Sequence, residues 1–200
     1  MKVEPTLAPR RAYRMGARAD AAAATGARIV AAALRQFGER PYDDVSLADV
    51  AVEAGVAVQT VLRRHRSKEA LVAAVSAAAF ETVRASRAEA PAGDVPGAVS
   101  NLFEHYEEWG DRVLRFLAQE ERVPALRQVT DAGRALHRAW VGRVFAPWLG
   151  RARGASRARL FARLAAVTDV YVWKILRRDL ALDAGTAERA LRELVTAVVG

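Results

Sequence analysis

The 200-residue sequence has no cysteine, only three histidines, and no uncharged apolar run near the roughly 18 residues a membrane-spanning helix needs. Without cysteine there is no disulfide framework, no thiolate metal site and no thiol nucleophile, which agrees with a reducing compartment. The N-terminus, MKVEPTLAPRRAYRMGARAD, is basic but carries no apolar core ahead of a small-residue cleavage site. A cytoplasmic protein with no membrane partner is therefore expected. Catalytic signatures are missing too: the chain contains no G-x-S-x-G elbow, no H-E-x-x-H, no G-x-x-x-x-G-K-[ST] loop and no G-x-G-x-x-G. With so few histidines and no Glu-x-x-His pair, zinc and di-iron chemistry have no ligands. The expectation is a protein without catalytic residues, metal or cofactor, and not an enzyme.

Lysine is also scarce. Of the 31 basic residues only Lys2, Lys68 and Lys174 are lysines, and alanine is about a fifth of the chain. Both biases follow GC-rich codons, so arginine number alone says little about nucleic acid. The net charge of +8 favours a polyanionic partner, but residues 1–75 carry 12 basic and 8 acidic side chains, and residues 76–200 carry the other 19 and 15. Neither part is a basic domain, so a nucleic-acid reading rests on local placement.

Strand signals are nearly absent and apolar residues recur at helical spacing from about Asp20 onward, which predicts an all-α protein of about nine helices. A first helix is expected from Asp20 or Thr25, either serving as N-cap, to Gly38, with Ile29, Val30, Ala33, Leu34 and Phe37 on one face. Ser46 and Asp49 form an S-x-x-D capping pattern opening a short helix, Leu47 to Ala54, which Gly55 stops. A second short helix from Val58 to His65 follows the turn Gly55-Val56-Ala57, and Ser67 caps a longer one. Two short helices joined by a glycine turn predict a helix-turn-helix. Farther on, the loops APAGDVPG (90–97) and GRARGAS (150–156) separate helices expected over 99–109, 111–122, 125–149, 157–180 and 186–199, the last capped by Thr186.

The second short helix carries the functional pattern. Val61 and His65 share one face, while Gln59 with Arg63 and Thr60 with Arg64 lie on the other. That outer face consists of donors. Glutamine pairs with adenine N6/N7 and arginine with guanine O6/N7 in the major groove, while Thr60 and Arg64 suit phosphates. Lys68 opens the next helix, where it and the backbone N–H groups can hold a phosphate together.

From Ala51 to Leu71 (AVEAGVAVQTVLRRHRSKEAL) the chain resembles the tetracycline-repressor (TetR) family of bacterial transcriptional regulators, and residues 25–51 are similar to that family's first two helices. The resemblance implies an N-terminal three-helix DNA-binding module and a larger helical effector and dimerisation domain. The expected divisions are a flexible basic arm over 1–20, with Arg10, Arg11, Arg14 and Arg18 available to a minor groove, a helix-turn-helix domain over 21–66, and a ligand-binding and dimerisation domain over 67–200. It further implies that Thr25, Ser46, Val58, Gln59, Thr60, Leu62, Arg63, Arg64 and Lys68 face operator DNA. Three positions depart from the family pattern. Leu62 replaces a phosphate-binding tyrosine, whose contact Arg64 takes over. Ala57 replaces a serine cap, at about 1 kcal/mol. His65 replaces an aromatic residue and is expected to be packed and hydrogen-bonded.

For the C-terminal part the resemblance implies a pocket for an unidentified small-molecule effector, with Phe103, Tyr106, Trp109, Glu120, His137, Trp140, Asp169 and Tyr171 as candidate lining. If Asp169 lies instead at a dimer interface, its carboxylate is expected to pair with an arginine. A homodimer through the last two helices is expected from two apolar stripes, Leu160, Leu164, Val167, Tyr171 and Ile175, and Leu191, Leu194, Val195 and Val198. The resemblance thus implies a repressor that leaves a pseudo-palindromic operator when an effector binds. The alternative is a non-catalytic helical adaptor that binds a ligand but no DNA.

Overall fold

The structure, a computed structural model, describes the backbone of residues 10–88 and 90–200, and side chains from residue 19 onward except Glu89. Leaving aside one isolated turn, nine α-helices are found among the described residues, and no strand. The chain divides into two compact units, residues 1–75 and 76–200.

Unit 1 contains α1 (Arg10–Glu39), a 3-10 turn at Tyr42–Asp44, α2 (Leu47–Ala54), α3 (Val58–His65) and the start of α4 (Lys68–Ala88). Helix α1 begins at Arg10, well before the expected Asp20 or Thr25. After Pro9 no proline interrupts the chain before Pro41, and the alanines of 21–24 are the strongest helix formers available. Thr25 consequently lies within the helix, its hydroxyl donating to the Ala21 carbonyl at 2.8 Å. Of the expected arm, residues 1–9 and the side chains of Arg10, Arg11, Arg14 and Arg18 lie outside the described residues. Ile29, Ala32, Ala33 and Phe37 are buried at helical spacing, and Phe37 stacks on Tyr42 with ring centroids 5.8 Å apart.

The turn chemistry of unit 1 follows the expectation closely. Ser46 Oγ accepts from the Asp49 N–H and Asp49 accepts from the Ser46 N–H, both at 3.0 Å, a complete capping box. Gly55 adopts φ 64°, ψ 43°, a left-handed conformation that a side chain would strain, and its N–H returns to the carbonyls of Ala51 and Val52. Ala57 has the extended conformation of an N-cap but no side chain to cap with. Helix α3 ends where Arg66 takes φ 60°, and Ser67 Oγ caps α4 by accepting from the Ala70 N–H at 3.1 Å.

Unit 2 contains the rest of α4, then α5 (Val95–Leu117), α6 (Pro124–Val144), a single turn α7 (Ala146–Leu149), α8 (Gly154–Val167), α9 (Val170–Lys174) running into a π-type turn at Ile175–Asp179, and α10 (Ala184–Val199). The break expected near Gly110 is absent. A mid-helix glycine costs only about 1 kcal/mol, and here the Trp173 ring packs on the bare backbone: a Cβ at Gly110 would lie 2.6 Å from Trp173 Cη2. The continuous helix expected over 157–180 is instead broken at Thr168 and Asp169. Thr168 Oγ1 donates to the Leu164 carbonyl at 2.6 Å, Tyr106 Oη donates to the Thr168 carbonyl at 3.0 Å, and Asp169 accepts from the Tyr171 N–H at 3.0 Å as the N-cap of α9. Asp183, not Thr186, caps α10.

The core of unit 2 joins Val99, Leu102, Phe103 and Tyr106 to Trp140, Val144, Phe145, Leu149, Leu164, Trp173, Leu191 and Val195. The two expected stripes therefore split. Leu164, Leu191 and Val195 belong to the unit's own core, whereas Tyr171, Ile175 and Leu194 are exposed. Beneath Trp173 the charges are paired: its indole N–H donates to Glu107 at 2.6 Å, Arg177 meets the same carboxylate at 2.7 Å, and Arg178 meets Asp111 at 2.9 Å. Among the described residues no helix is long and apolar enough to cross a membrane.

Candidate nucleic-acid interface

Helix α3 has a buried side and an open side. Val61 is fully buried against the unit 1 core, so its neighbours at helical spacing are turned outward. Gln59, Arg63, Arg64 and Arg66 are exposed, and Val58, Thr60 and Leu62 are half-buried. Gln59 and Arg63 thus stand one turn apart on the open side of an eight-residue helix held by the Gly55 turn. This is the size and chemistry that enters a major groove. A groove of about 420 Å³ runs beside it, lined by Ala21, Ala22 and Thr25 of α1 and by Val56, Ala57, Thr60, Arg63 and Arg64. Ser46 stands at the start of α2, its hydroxyl held in the capping box.

Arg64 is placed differently from Arg63. Its guanidinium donates to the Ala22 carbonyl and lies over Gly26, where a Cβ would be 2.9 Å from Nη1. It therefore ties α3 to α1 in this structure, a role with no signal in the spacing of α3 alone. His65 is packed as expected, but its Nε2 is buried with no hydrogen-bond partner. Burial and then the charge of Arg64 hold its pKa below the ordinary histidine value.

Lys68 is braced by Tyr42, a residue that no sequence motif singled out. Its Nζ lies 4.1 Å from the centre of the Tyr42 ring, and Tyr42 Oη donates to Glu69 at 2.9 Å. Burial, with the neighbouring Glu69 carboxylate, pushes the Tyr42 phenol up, and burial lowers the Lys68 pKa. The signal for Tyr42 was its position between Pro41 and Val45, where an aromatic ring anchors the loop.

In unit 2 the candidate pocket residues separate. Tyr106, His137 and Trp140 come together with His105 and Thr168, and Phe103 is in the same core. Glu120 instead meets Arg134 at 2.5 Å and accepts from Thr130, and Trp109 packs under Arg112 with the guanidinium 5.1 Å from its ring centre. Tyr171 is about half exposed, at 52%. Asp169 caps α9 and forms no ion pair among the described residues, so the arginine pairing expected for it is not found within the chain. Burial and then the charge of Arg87 push the histidines down, His105 to about 3 and His137 to about 4. Arg87 itself is buried, and it was not anticipated. Its signal was position: it continues the inward series Ala79, Val83 on α4. Among the described residues no group of three His, Asp or Glu is placed to hold a metal ion.

Comparison with known proteins agrees with this geometry. Residues 29–75 match the family described as bacterial regulatory proteins, tetR family. No curated protein matches the sequence. Among solved structures, a transcriptional regulator from Rhodococcus sp. Rha1 shares the fold with TM-score 0.67 at 18% identity, over 86% of this chain and 94% of that one. A protein described as a TetR-family transcriptional regulator from Rhodococcus sp. gives TM-score 0.65 at 16% identity, over 89% of this chain and 100% of that one. The multidrug binding protein EbrR, complexed with imidazole, gives TM-score 0.58 at 24% identity, over 86% and 88%. At these identities the solved structures speak for the fold, and the match over residues 29–75 speaks for the helix-turn-helix. Residues 29–75 thus carry a tetR-family module, in a chain whose fold is that of proteins described as TetR-family transcriptional regulators.

Proposed function

We propose that the protein is a repressor that binds a pseudo-palindromic operator as a homodimer and releases it when a small molecule occupies unit 2. The observation that carries the reading is the open side of α3, where Gln59 and Arg63 project behind a buried Val61. In this reading they read base edges, while Thr25, Ser46, Val58, Thr60, Leu62 and Lys68 face the DNA backbone. Arg64 holds α3 against α1 until DNA competes for it. Residues 21–66 act as the DNA-binding domain, residues 1–20 as a basic arm and residues 67–200 as the effector and dimer domain, in the cytoplasm and without catalysis.

Exposed Tyr171, Ile175 and Leu194 support the dimer, since large apolar side chains on the last helices gain by covering one another. EbrR, a neighbour in fold that binds multiple drugs, supports a small-molecule ligand. Such a ligand relieves repression only by preferring a conformation that spaces the two recognition helices wrongly. Operator DNA must then weaken the ligand by the same factor.

The test is selection of binding sites from random duplexes, followed by fluorescence anisotropy on the enriched sequence. A two-fold site with half-sites about one DNA turn apart is expected. Arg63→Ala should cost about 1–3 kcal/mol and relax one base position, whereas Lys68→Ala should weaken all sequences alike and flatten the salt slope by about 1. Failure to enrich any sequence would overturn the reading in favour of a ligand-binding adaptor.

A further inference from the structure

Unit 2 contains a buried cation with no anion beside it among the described residues. Arg87, in the last turn of α4, is 5% exposed, and no carboxylate lies within ion-pair distance of it among the described residues. Arginine cannot escape this by giving up its proton. Tyr106 and Trp140 supply part of what water would: the Tyr106 phenol is a hydrogen-bond neighbour of the guanidinium, whose carbon is 5.8 Å from the Tyr106 ring centre and 5.7 Å from that of Trp140. The carbonyls at and just beyond the end of α4 are already served by a different cation, Arg143, which donates to those of Arg87 and Ala90. The Nε of Arg87 has no hydrogen-bond partner among the described residues.

Two further polar atoms beside it are equally unmatched. Trp140 Nε1 is buried without an acceptor, and the Trp140 ring stacks on His137 at 5.7 Å. His137 Nε2 lies 3.3 Å from the Ala165 carbonyl and 3.2 Å from Thr168 Oγ1. Because the Thr168 hydroxyl gives its own hydrogen to the Leu164 carbonyl, both neighbours require Nε2 to be the donor. His137 Nδ1 is then a bare acceptor, buried and unpartnered. Buried polar groups are almost always satisfied, so two donors and one acceptor on three neighbouring side chains are groups that a polar ligand can satisfy.

We propose that Arg87, Trp140 and His137 recognise an organic carboxylate: its oxygens accept from the guanidinium and the indole N–H, and a hydroxyl or N–H on its apolar body donates to His137 Nδ1. The inference rests on the reading of unit 2 as an effector domain and narrows that effector to one chemical class. The apolar surroundings, Tyr106 and Trp140 among them, accommodate the body of the molecule.

The experiment is calorimetric titration of the full-length protein with two acid and amide pairs, 3-hydroxybenzoate against 3-hydroxybenzamide and 3-hydroxydecanoate against its amide. The members of each pair share a shape and the hydroxyl, and differ in charge. At least one acid should bind ten-fold or more tightly than its amide. Arg87→Met should bring the pair within two-fold and raise the melting temperature of the unliganded protein, because an apolar chain replaces an unpaired buried charge. Arg87→Lys, which keeps the charge but loses the planar fork, should retain an intermediate preference. Binding of amides as tightly as acids, no binding by any of the four at millimolar concentration, or an acid preference that survives Arg87→Met would each overturn the proposal. Anisotropy on the selected DNA separates it from the effector reading. A bound acid that leaves DNA affinity unchanged refutes the effector reading and leaves the carboxylate site standing. DNA release by an uncharged molecule, undiminished in Arg87→Met, refutes the carboxylate site alone.

Discussion

His105 and His137 should make unit 2 acid-sensitive well above the range in which carboxylates titrate. Folded, their pKa values are held at about 3 and about 4 by burial first and by the Arg87 charge second. Arg138 lowers His137 further and Asp169 partly opposes it. Unfolded, both return to about 6.5. The unfolded state therefore binds more protons between those limits, and stability falls as pH falls from about 7 toward 4. At pH 5 an unfolded imidazole is almost fully protonated while the folded one is almost fully neutral, so each histidine costs about 2 kcal/mol relative to pH 8, and the pair about 4 kcal/mol. Against a total stability of about 5–15 kcal/mol this is a large fraction. Glu107 and Asp111, lowered by Arg177 and Arg178, act with the same sign but in a lower window, their stabilisation being lost only as pH falls below the ordinary carboxylate values. All four tryptophans, Trp109, Trp140, Trp148 and Trp173, lie in unit 2, so urea unfolding followed by tryptophan fluorescence reports on the right unit. The measurement compares wild type with the double variant His105→Gln, His137→Gln at pH 8, 7, 6 and 5. The wild type should lose about 4 kcal/mol more than the variant across that range. Parallel losses within about 1 kcal/mol, or an imidazole midpoint near 6.5 by NMR in the folded protein, would refute the reasoning.

Three other substitutions test the local physics. Ala57→Ser supplies the missing N-cap of α3 and should stabilise its first turn by about 1 kcal/mol, read as slower amide hydrogen exchange there; unchanged protection would show that the turn is held by other means. Gly110→Ala drives a Cβ into the face of the fully buried Trp173 ring, with Cε3 only 2.8 Å away, and should cost about 1–3 kcal/mol in thermal unfolding despite the better helix propensity of alanine. Tyr42→Phe deletes the bond to Glu69 and should cost about 1 kcal/mol while leaving the ring under Lys68, a loss measurable by chemical unfolding followed by circular dichroism.

The sequence by itself determined the helix-turn-helix, because its signals act over a few residues. Ser46 and Asp49 are three apart, Gly55 needs only its own left-handed φ, and the split between Val61 and the pair Gln59 and Arg63 is a matter of one helical turn. The all-α class and the family resemblance rest on the same short-range regularities. Tertiary structure decided what depends on residues far apart in the chain. Gly110 reads as a break until Trp173 packs on it, and Leu160 to Ile175 reads as one stripe until Tyr106 takes the Thr168 carbonyl and Asp169 caps a new helix. Arg64 reads as one more outward cation until its guanidinium reaches the Ala22 carbonyl, 42 positions away. Arg87 reads as a surface charge until Tyr106 and Trp140 enclose it. In each case a polar or glycine residue changes meaning because its partner comes from another helix, and a periodicity within one helix carries no information about that partner.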